Sequence, residues 1–222
     1  MKSINLIRDL KIYNAHVLAY PEIGNTEIER DTFESDTGLI FYSEKRLAFT
    51  PVSFVIEFKG GKDEIRKNRN KLSKELELAK VTFNDEVYYK GRFLAESVDT
   101  RYYFQNVTYK GKAIAMLNVQ EIVVPINKTI KIYNNGNLPT PCRLCLNGSG
   151  DNINIKGFDD DINIKKLLNE IIIDSERGVY SLEGNSFIDI KSFPYIEDKV
   201  EILVSGSGDF ICVIEFEGRV LC

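Results

Sequence analysis

Residues 46–58, which read RLAFTPVSFVIEF, place the strongest constraint on the fold of this chain. Apolar side chains occupy every second position of the segment: Val52, Phe54, Ile56 and Phe58. Alternation with a period of two predicts a β-strand that is covered by a core on at least one face. The two glycines that follow, Gly60-Gly61, are expected to end the strand. The chain must therefore build a sheet around this segment.

The next segment, 62–80, reads KDEIRKNRNKLSKELELAK and contains neither glycine nor proline. Asp63 stands where the N-cap of a helix is expected. One apolar stripe recurs with helical periodicity: Ile65, Leu72, Leu76 and Ala79. This pattern predicts a single amphipathic helix with a charged outer side. We interpret those charges as a solvated face and not as a binding motif.

From residue 81 to 126 the pattern returns to strands rich in aromatic and β-branched residues. Three segments, 86–94, 97–109 and 112–124, are predicted to form a meander, with Lys110-Gly111 as a hairpin turn. The first part of the chain is therefore expected to be mainly β with one long helix, a β-sandwich-type domain of α+β character.

The segment from Pro125 to Pro141 holds three prolines and several asparagines, which is typical of a boundary. Beyond it, short strands at a spacing of roughly 8–12 residues predict a small galectin-like or jelly-roll sandwich. Two copies of Gly-Ser-Gly-Asp, at 148–151 and 206–209, are expected to be hairpin loops. The similar segments NINIK at 152–156 and DINIK at 161–165 are predicted to be adjacent strands around one turn.

Composition and charge exclude several classes of function. The sequence has 222 residues, 43% of them hydrophobic, and a formal net charge of −4. The length and apolar content suffice for one large domain or two small ones. A negative net charge argues against a surface that neutralises phosphates. The single histidine, His16, excludes most hydrolase triads and histidine-based metal sites, so the chain is predicted not to be an enzyme.

Targeting signals are also lacking in the pattern. Residues 1–20 are interrupted by charged and polar side chains, so they do not resemble a signal peptide. The longest apolar runs, 122–124 and 171–173, are far shorter than the about 18 residues that a membrane-spanning helix needs. We therefore expect synthesis in the cytoplasm, with the four cysteines reduced.

Cys142 and Cys145 have the spacing found in zinc and redox motifs. A zinc site would need a second pair, for which Cys212 and Cys222 are available. The surrounding residues predict a strand, however, and positions i and i+3 of a strand face opposite sides. We interpret these cysteines as core or surface residues rather than as ligands.

Other candidate motifs fail on similar grounds. Four oxygen-bearing residues match positions of a calcium-binding EF-hand loop: Asp159, Asp161, Asn163 and Glu170. The glycine of that motif is replaced by Ile164 and no helix precedes it, which favours an acidic turn. The Gly-Ser-Gly segments lack the lysine and helix of a phosphate-binding loop. No catalytic, cofactor-binding or metal-ligating residue is therefore assigned, and no cofactor is expected.

The order of these segments resembles the distal tail (Dit-like) proteins of long-tailed, siphovirus-type phages. In the first part the resemblance lies in the strand of 46–58, the helix ending at Leu78-Ala79-Lys80 and the aromatic segment 88–93. In the second part it lies in five stretches: 134–141, 171–174, Phe193-Pro194-Tyr195, 200–205 and 210–216.

This resemblance implies a structural virion protein without catalytic residues. Residues 1–130 would form a hexameric ring, and residues 131–222 a galectin-like or carbohydrate-module-like sandwich outside it. The implied place is the tail tip, as a baseplate hub between tail tube and tip. The implied partners are further copies of the chain, the major tail tube protein, the tape measure protein, the tail-tip hub or tail-associated lysin, and a receptor-binding protein. No sequence-specific nucleic acid or membrane is among them.

Two alternatives remain open from the sequence. The chain is a stand-alone carbohydrate-binding or adhesion module, or it is a hydrolase, since its many carboxylates do not exclude glycoside cleavage.

Overall fold

The computed structural model describes residues 2–28, 32–34, 40–42, 48–184 and 186–221, and the side chains within 2–27, 49–184 and 186–221. This part of the chain is mostly β-strand with one α-helix, which confirms the predicted fold class. The chain divides into two compact units, Met1–Met116 with Val220–Cys222, and Leu117–Arg219.

The first unit contains one extended sheet and the helix. Its elements are β1 (Lys2–Asn5), a 3-10 helix (Asp9–Tyr13), β2 (Ala15–Val17), β3 (Glu22–Ile23), β4 (Glu27–Ile28), β5 (Thr32–Glu34), β6 (Ile40–Tyr42), β7 (Ala48–Lys59), α1 (Lys62–Leu76), β8 (Ala79–Thr82), β9 (Tyr88–Arg101) and the first part of β10 (Phe104–Val124), which belongs to the second unit from Leu117 onward. The strand order is β1-β8-β9-β10-β7, and β2, β3 and β4 pair with β7. Only β1 and β8 run parallel among these described pairs. Strands β5 and β6 pair with each other.

Strand β7 confirms the predicted alternation. Its four apolar residues at even positions are all at least 98% buried, whereas Ser53, Val55 and Glu57 are half-buried. Phe54 forms the centre of an aromatic cluster, with ring centroids 5.7 Å from Phe83, 5.6 Å from Phe93 and 5.7 Å from Tyr109. Residues 46–47 of the predicted strand lie outside the described residues.

The helix is shorter than predicted. It ends at Leu76, four residues before the predicted end, and Ala79 begins strand β8. Ala79 is buried because it pairs with Lys2 and Gly91 in the sheet, and it does not extend the helical stripe. The N-cap is Gly61 rather than Asp63. Ile65, Leu72 and Leu76 form the buried face as predicted: Leu72 and Leu76 are fully buried and Ile65 nearly so.

The predicted hairpin turn at Lys110-Gly111 is wrong. These residues lie inside β10, and the chain reverses at Tyr102-Tyr103 between β9 and β10. A Cβ at Gly111 would lie 2.2 Å from the carbonyl oxygen of Arg92, so the glycine serves close strand packing. The segments 86–94 and 97–109 therefore do not form two strands joined by a loop.

The second unit is a set of antiparallel strands, three of them long. They are β11 (Thr129–Tyr133), β12 (Thr140–Lys156), β13 (Ile162–Asp174), β14 (Val179–Leu182), β15 (Phe187–Asp189), β16 (Tyr195–Ile196) and β17 (Lys199–Arg219). The order is β11-β17-β12-β13-β14, with β15 on β13 and β16 on β12. The closing segments 200–205 and 210–216 are parts of one strand, so the predicted short spacing is wrong here.

The two Gly-Ser-Gly-Asp segments are not hairpin loops. They lie within β12 and β17 and pair with each other, Gly150 opposite Gly208 and Asp151 opposite Ser207. The prediction for NINIK and DINIK is confirmed, since Ile153 pairs with Ile164 in β13. The isoleucines of both segments are buried in the core of this unit.

Candidate functional site

The outer edge of β9 is the longest open strand edge of the first unit among the described residues. Strand β8 pairs with β9 only at Tyr89–Gly91, and no other described strand covers that edge from Arg92 to Arg101. Residues 94–101 are all exposed, including the apolar side chains of Leu94 and Val98. Uncovered backbone N–H and C=O groups of this kind accept another strand. The edge is therefore a candidate interaction surface.

The tip of the β9–β10 hairpin carries two aromatic side chains. Tyr102 is 95% exposed and Tyr103 is 74% exposed, with ring centroids 5.8 Å apart. The backbone N–H of Gly60 donates a hydrogen bond of 3.2 Å to the carbonyl oxygen of Tyr103, which ties the tip to the end of β7. Exposed tyrosines on a fixed support are typical of contact surfaces between proteins.

A groove of about 770 Å³ lies between the first turns of α1 and this hairpin. Its lining residues are Lys62, Asp63, Ile65, Arg66, Arg69, Thr100, Arg101, Tyr102 and Gln105. Buried Gln105 organises the floor: it accepts a hydrogen bond of 3.1 Å from Arg69 Nη1 and donates one of 2.8 Å to Thr100 Oγ1. We name it the α1 groove; four of its lining residues have basic side chains.

A polar cluster anchors α1 to the start of the chain. Lys2 Nζ lies 2.5 Å from Glu75 Oε2, and the Tyr13 hydroxyl also donates to that carboxylate. Burial favours a higher pKa for Glu75, but the hydrogen bonds from Lys2 and Tyr13 outweigh it and lower the pKa. Burial, followed by the hydrogen bond to Glu75, raises the pKa of Tyr13. The cluster positions the helix that forms one wall of the α1 groove.

In the second unit, Asn134 closes the segment 134–141 by hydrogen bonding. Its side-chain amide donates to the carbonyl oxygens of Leu138 at 2.8 Å and Ile196 at 3.2 Å, and its Oδ1 accepts from the Gly136 N–H at 2.9 Å. The buried Thr140 hydroxyl accepts from the Arg219 N–H at 3.0 Å. These hydrogen bonds fix the conformation of the turn in residues 134–141.

Strand β14 gives the second unit an exposed apolar edge. Val179, Tyr180 and Leu182 are between 38% and 51% exposed, and β14 pairs with β13 on one side. No described strand pairs with its other side. This edge is a second candidate contact surface.

The cysteines do not form a ligand set in the part of the chain that the structure describes. Cys142 lies in the core and its thiol donates to the carbonyl oxygen of Pro194, while Cys145 lies on the other face of β12. Burial raises the pKa of all three described thiols, that of Cys212 to about 12. The structure therefore confirms that Cys142 and Cys145 face opposite sides of one strand. Cys222 lies outside the described residues.

The remaining residues singled out in the sequence also lie apart. Asp159 and Asp161 belong to the turn before β13, whereas Glu170 pairs with Asn147 far along the strand. His16 lies in β2, with Nε2 3.4 Å from the Glu57 carboxylate. Within the described ranges there is no group of three or more residues that could hold a metal ion. No described helix is long and apolar enough to cross a membrane.

Sequence reasoning missed the α1 groove and the β9 edge. A signal for the edge exists, because residues 94–101 place polar side chains on both faces of a strand. The groove has no such signal, since Arg69 and Gln105 are 36 residues apart and meet only through the fold.

No protein-family model matches the chain, and no curated protein matches its sequence. A solved structure does match: the crystal structure of the SPP1 Dit (gp 19.1) protein, described as a paradigm of the hub adsorption apparatus in phages that infect Gram-positive hosts. The match covers 96% of each chain with a TM-score of 0.66 and 13% sequence identity. The chain therefore has the fold of this phage protein, and the resemblance in fold is confirmed.

Proposed function

We propose that the chain is a structural protein of a phage tail or of a phage-derived tail-like particle, the distal hub that joins tail tube to tail tip. One observation carries this proposal: the fold match to the SPP1 Dit protein extends over 96% of both chains. A match of that extent includes both compact units and not a single common module. The function is assembly, and no catalytic residue is assigned.

The working state proposed for this hub is a hexameric ring built by residues 1–130. A ring needs two complementary patches on each copy, because a heterologous interface closes only when one patch meets the other. The open β9 edge and the exposed hairpin tyrosines supply one patch in the first unit. Covering such an edge in a ring also removes an aggregation hazard of the free chain.

The net charge is compatible with the passage of DNA through the ring. Each copy carries a formal charge of −4, and like charge repels phosphates at short range. An acidic ring would therefore let the genome pass without retaining it. We place the hub at the virion tail tip, after synthesis in the host cytoplasm.

Residues 131–222 are proposed to lie outside the ring and to face other tail proteins. The partners are the tail tube protein, the tape measure protein, the tail-tip hub or lysin, and a receptor-binding protein. The exposed apolar edge at β14 offers a contact surface for this role.

Immunoelectron microscopy tests the proposal. Antibodies against the purified chain are applied to particles released from cells that carry its gene, with an antibody against the tail tube protein as the control. We expect label at one end of the tail only. Label along the tube, or no label on intact particles, would contradict the assignment.

A stand-alone carbohydrate-binding module is the second candidate. It is favoured by three partly exposed tyrosines in the second unit, Tyr133, Tyr180 and Tyr195, since aromatic rings stack on sugars. Cosedimentation with purified cell walls separates the two candidates. Binding that is lost in Tyr133→Ala or Tyr180→Ala would favour the module.

A further inference from the structure

The α1 groove holds more positive charge than its own carboxylates neutralise. Asp63 pairs with Arg66 at 3.1 Å, and Asp99 pairs with Arg101 at 3.6 Å. Arg69 and Lys62 have no carboxylate within ion-pair distance among the described residues. The groove therefore keeps two uncompensated cations beside an apolar wall that includes Ile65.

Arg69 is held in place by neutral side chains, and no carboxylate of a described residue pairs with it. Its guanidinium is half-buried and is fixed by hydrogen bonds to the neutral side chains of Gln105, at 3.1 Å, and Asn70, at 3.4 Å. A guanidinium presents a planar fork that matches a carboxylate in two parallel hydrogen bonds. The first turn of α1, which has no side-chain cap at Gly61, adds the positive end of a helix dipole.

The groove is continuous with the open edge of β9. Thr100 and Arg101 belong both to the lining of the groove and to the uncovered part of that strand. A segment that pairs with the edge would therefore carry its side chains directly past Arg69. Free phosphate could bind to Arg69 and Lys62, but it would leave the backbone N–H and C=O groups of the β9 edge unpaired.

We infer that the α1 groove, together with the adjoining edge of β9, binds an extended acidic segment of a partner protein. The backbone of that segment pairs with β9 between Arg92 and Arg101. One of its carboxylates pairs with Arg69, and a second lies near Lys62. This site goes beyond the proposed hub function. Because the proposed ring would cover the same edge, the acidic segment and a second copy of the chain are alternative occupants of β9.

The test uses fluorescence anisotropy with two labelled peptides on the full chain, at concentrations where light scattering shows one chain per particle. In the first peptide Glu alternates with Thr, which favours an extended strand, and in the second every Glu is replaced by Gln. We expect the Glu peptide to bind, and the Gln peptide to bind about five- to tenfold more weakly, as loss of a charge-assisted hydrogen bond implies. Equal affinity for both peptides, or no binding of either, would overturn the inference.

Variants locate the binding. Arg69→Gln is expected to lower the affinity for the Glu peptide by about five- to tenfold. Arg69→Lys, which keeps the charge but not the planar fork, is expected to lose less affinity. Arg8→Gln is the matched control, because Arg8 is exposed and does not line the groove. Lys62→Gln, at an exposed position, provides a second variant if Arg69→Gln fails to fold. Unchanged affinity in folded Arg69→Gln or Lys62→Gln would contradict the site.

Competition separates an acidic protein segment from other anions. Inorganic phosphate and oligothymidylate are added to the preformed complex at matched ionic strength. We expect neither to displace the Glu peptide more effectively than the unlabelled peptide does. Tighter binding of oligothymidylate would assign the groove to polyanions instead, and it would leave the hub proposal untouched.

Discussion

Gly150 and Gly208 pair directly across the antiparallel strands β12 and β17, inside the two copies of Gly-Ser-Gly-Asp. A Cβ at Gly208 would lie 2.3 Å from the Ser149 carbonyl oxygen, and its φ of +115° is a conformation that other residues rarely adopt. The repeat in the sequence thus marks a place where two strands approach too closely for side chains.

Gly208→Ala is expected to lower the free energy of unfolding by about 2–4 kcal/mol, because it adds both a clash and backbone strain. Gly61→Ala is the control: a Cβ there meets nothing within 4 Å, so we expect a loss below about 1 kcal/mol. Urea denaturation followed by circular dichroism measures both values. A loss in Gly208→Ala no larger than in Gly61→Ala would contradict the close approach.

The same glycines explain what the sequence could and could not predict. The spacing of apolar residues in the sequence predicts β7 and the buried face of α1, because both patterns arise between residues close in the chain. The sequence predicts turns at Gly111 and Gly208, but in the structure both glycines lie inside strands and allow close contact with a neighbouring strand. The α1 groove likewise depends on a hydrogen bond between Arg69 and Gln105, which no local pattern reveals.

We predict that the buried thiol of Cys212 makes the protein less stable at alkaline pH. Burial raises the pKa of this thiol from 9.0 to about 12, so the folded state holds its proton where the unfolded state releases it. Stability is therefore complete below pH 9 and falls toward pH 12, by up to about 1.4 kcal/mol per pH unit.

Cys212→Ala lowers stability at pH 7 by about 1–2 kcal/mol, because it leaves a small cavity. Its stability is expected to fall less steeply above pH 9 than that of the wild type. Urea denaturation between pH 7 and pH 11 measures the two slopes. Parallel slopes would contradict a buried neutral thiol at Cys212. Burial raises the pKa of Cys142 as well, so the stability of the variant still falls somewhat with rising pH.

Glu75 predicts a loss of stability in acid. The hydrogen bonds from Lys2 and Tyr13 outweigh burial and hold its pKa below the usual value. Its contribution is present above the ordinary carboxylate pKa and is lost as the pH falls through the lowered folded pKa. Because Lys2 is half exposed, we expect Glu75→Gln to cost at most about 1 kcal/mol at pH 7.

The difference between Glu75→Gln and the wild type should shrink as the pH falls below the ordinary carboxylate pKa, and disappear once Glu75 is protonated in the folded state as well. Thermal unfolding from pH 3 to pH 7 measures it. Glu201→Gln is the control: Lys131 lowers the pKa of this carboxylate as well, but the pair is exposed, so we expect a smaller deficit than in Glu75→Gln. A deficit in Glu75→Gln that persists unchanged in acid would contradict the role of its charge.

We predict that copies of the chain meet at the open edge of β9, where Leu94 lies. Leu94 is 47% exposed on the uncovered part of β9 and lies opposite Lys110 in β10. Leu94→Glu adds a charge that disfavours pairing of another strand with this open edge. Lys110 already pairs with Glu96 at 2.7 Å, so the new carboxylate stays largely uncompensated at an exposed position.

We expect Leu94→Glu to weaken self-association at least about tenfold without loss of folding. Ile12→Glu is the matched control, because Ile12 is 68% exposed in the 3-10 helix, away from the β9 edge. Sedimentation velocity over a range of concentrations compares the three proteins. Equal association of Leu94→Glu and the wild type would remove the β9 edge from the interface.

Light scattering coupled to size-exclusion chromatography, with negative-stain images of the same peak, tests the hub assignment most directly. The account predicts a mass near six times the 25.4 kDa of one chain and ring-shaped particles. A mass of one chain at every concentration, with no rings when the tail tube protein is added, would contradict it.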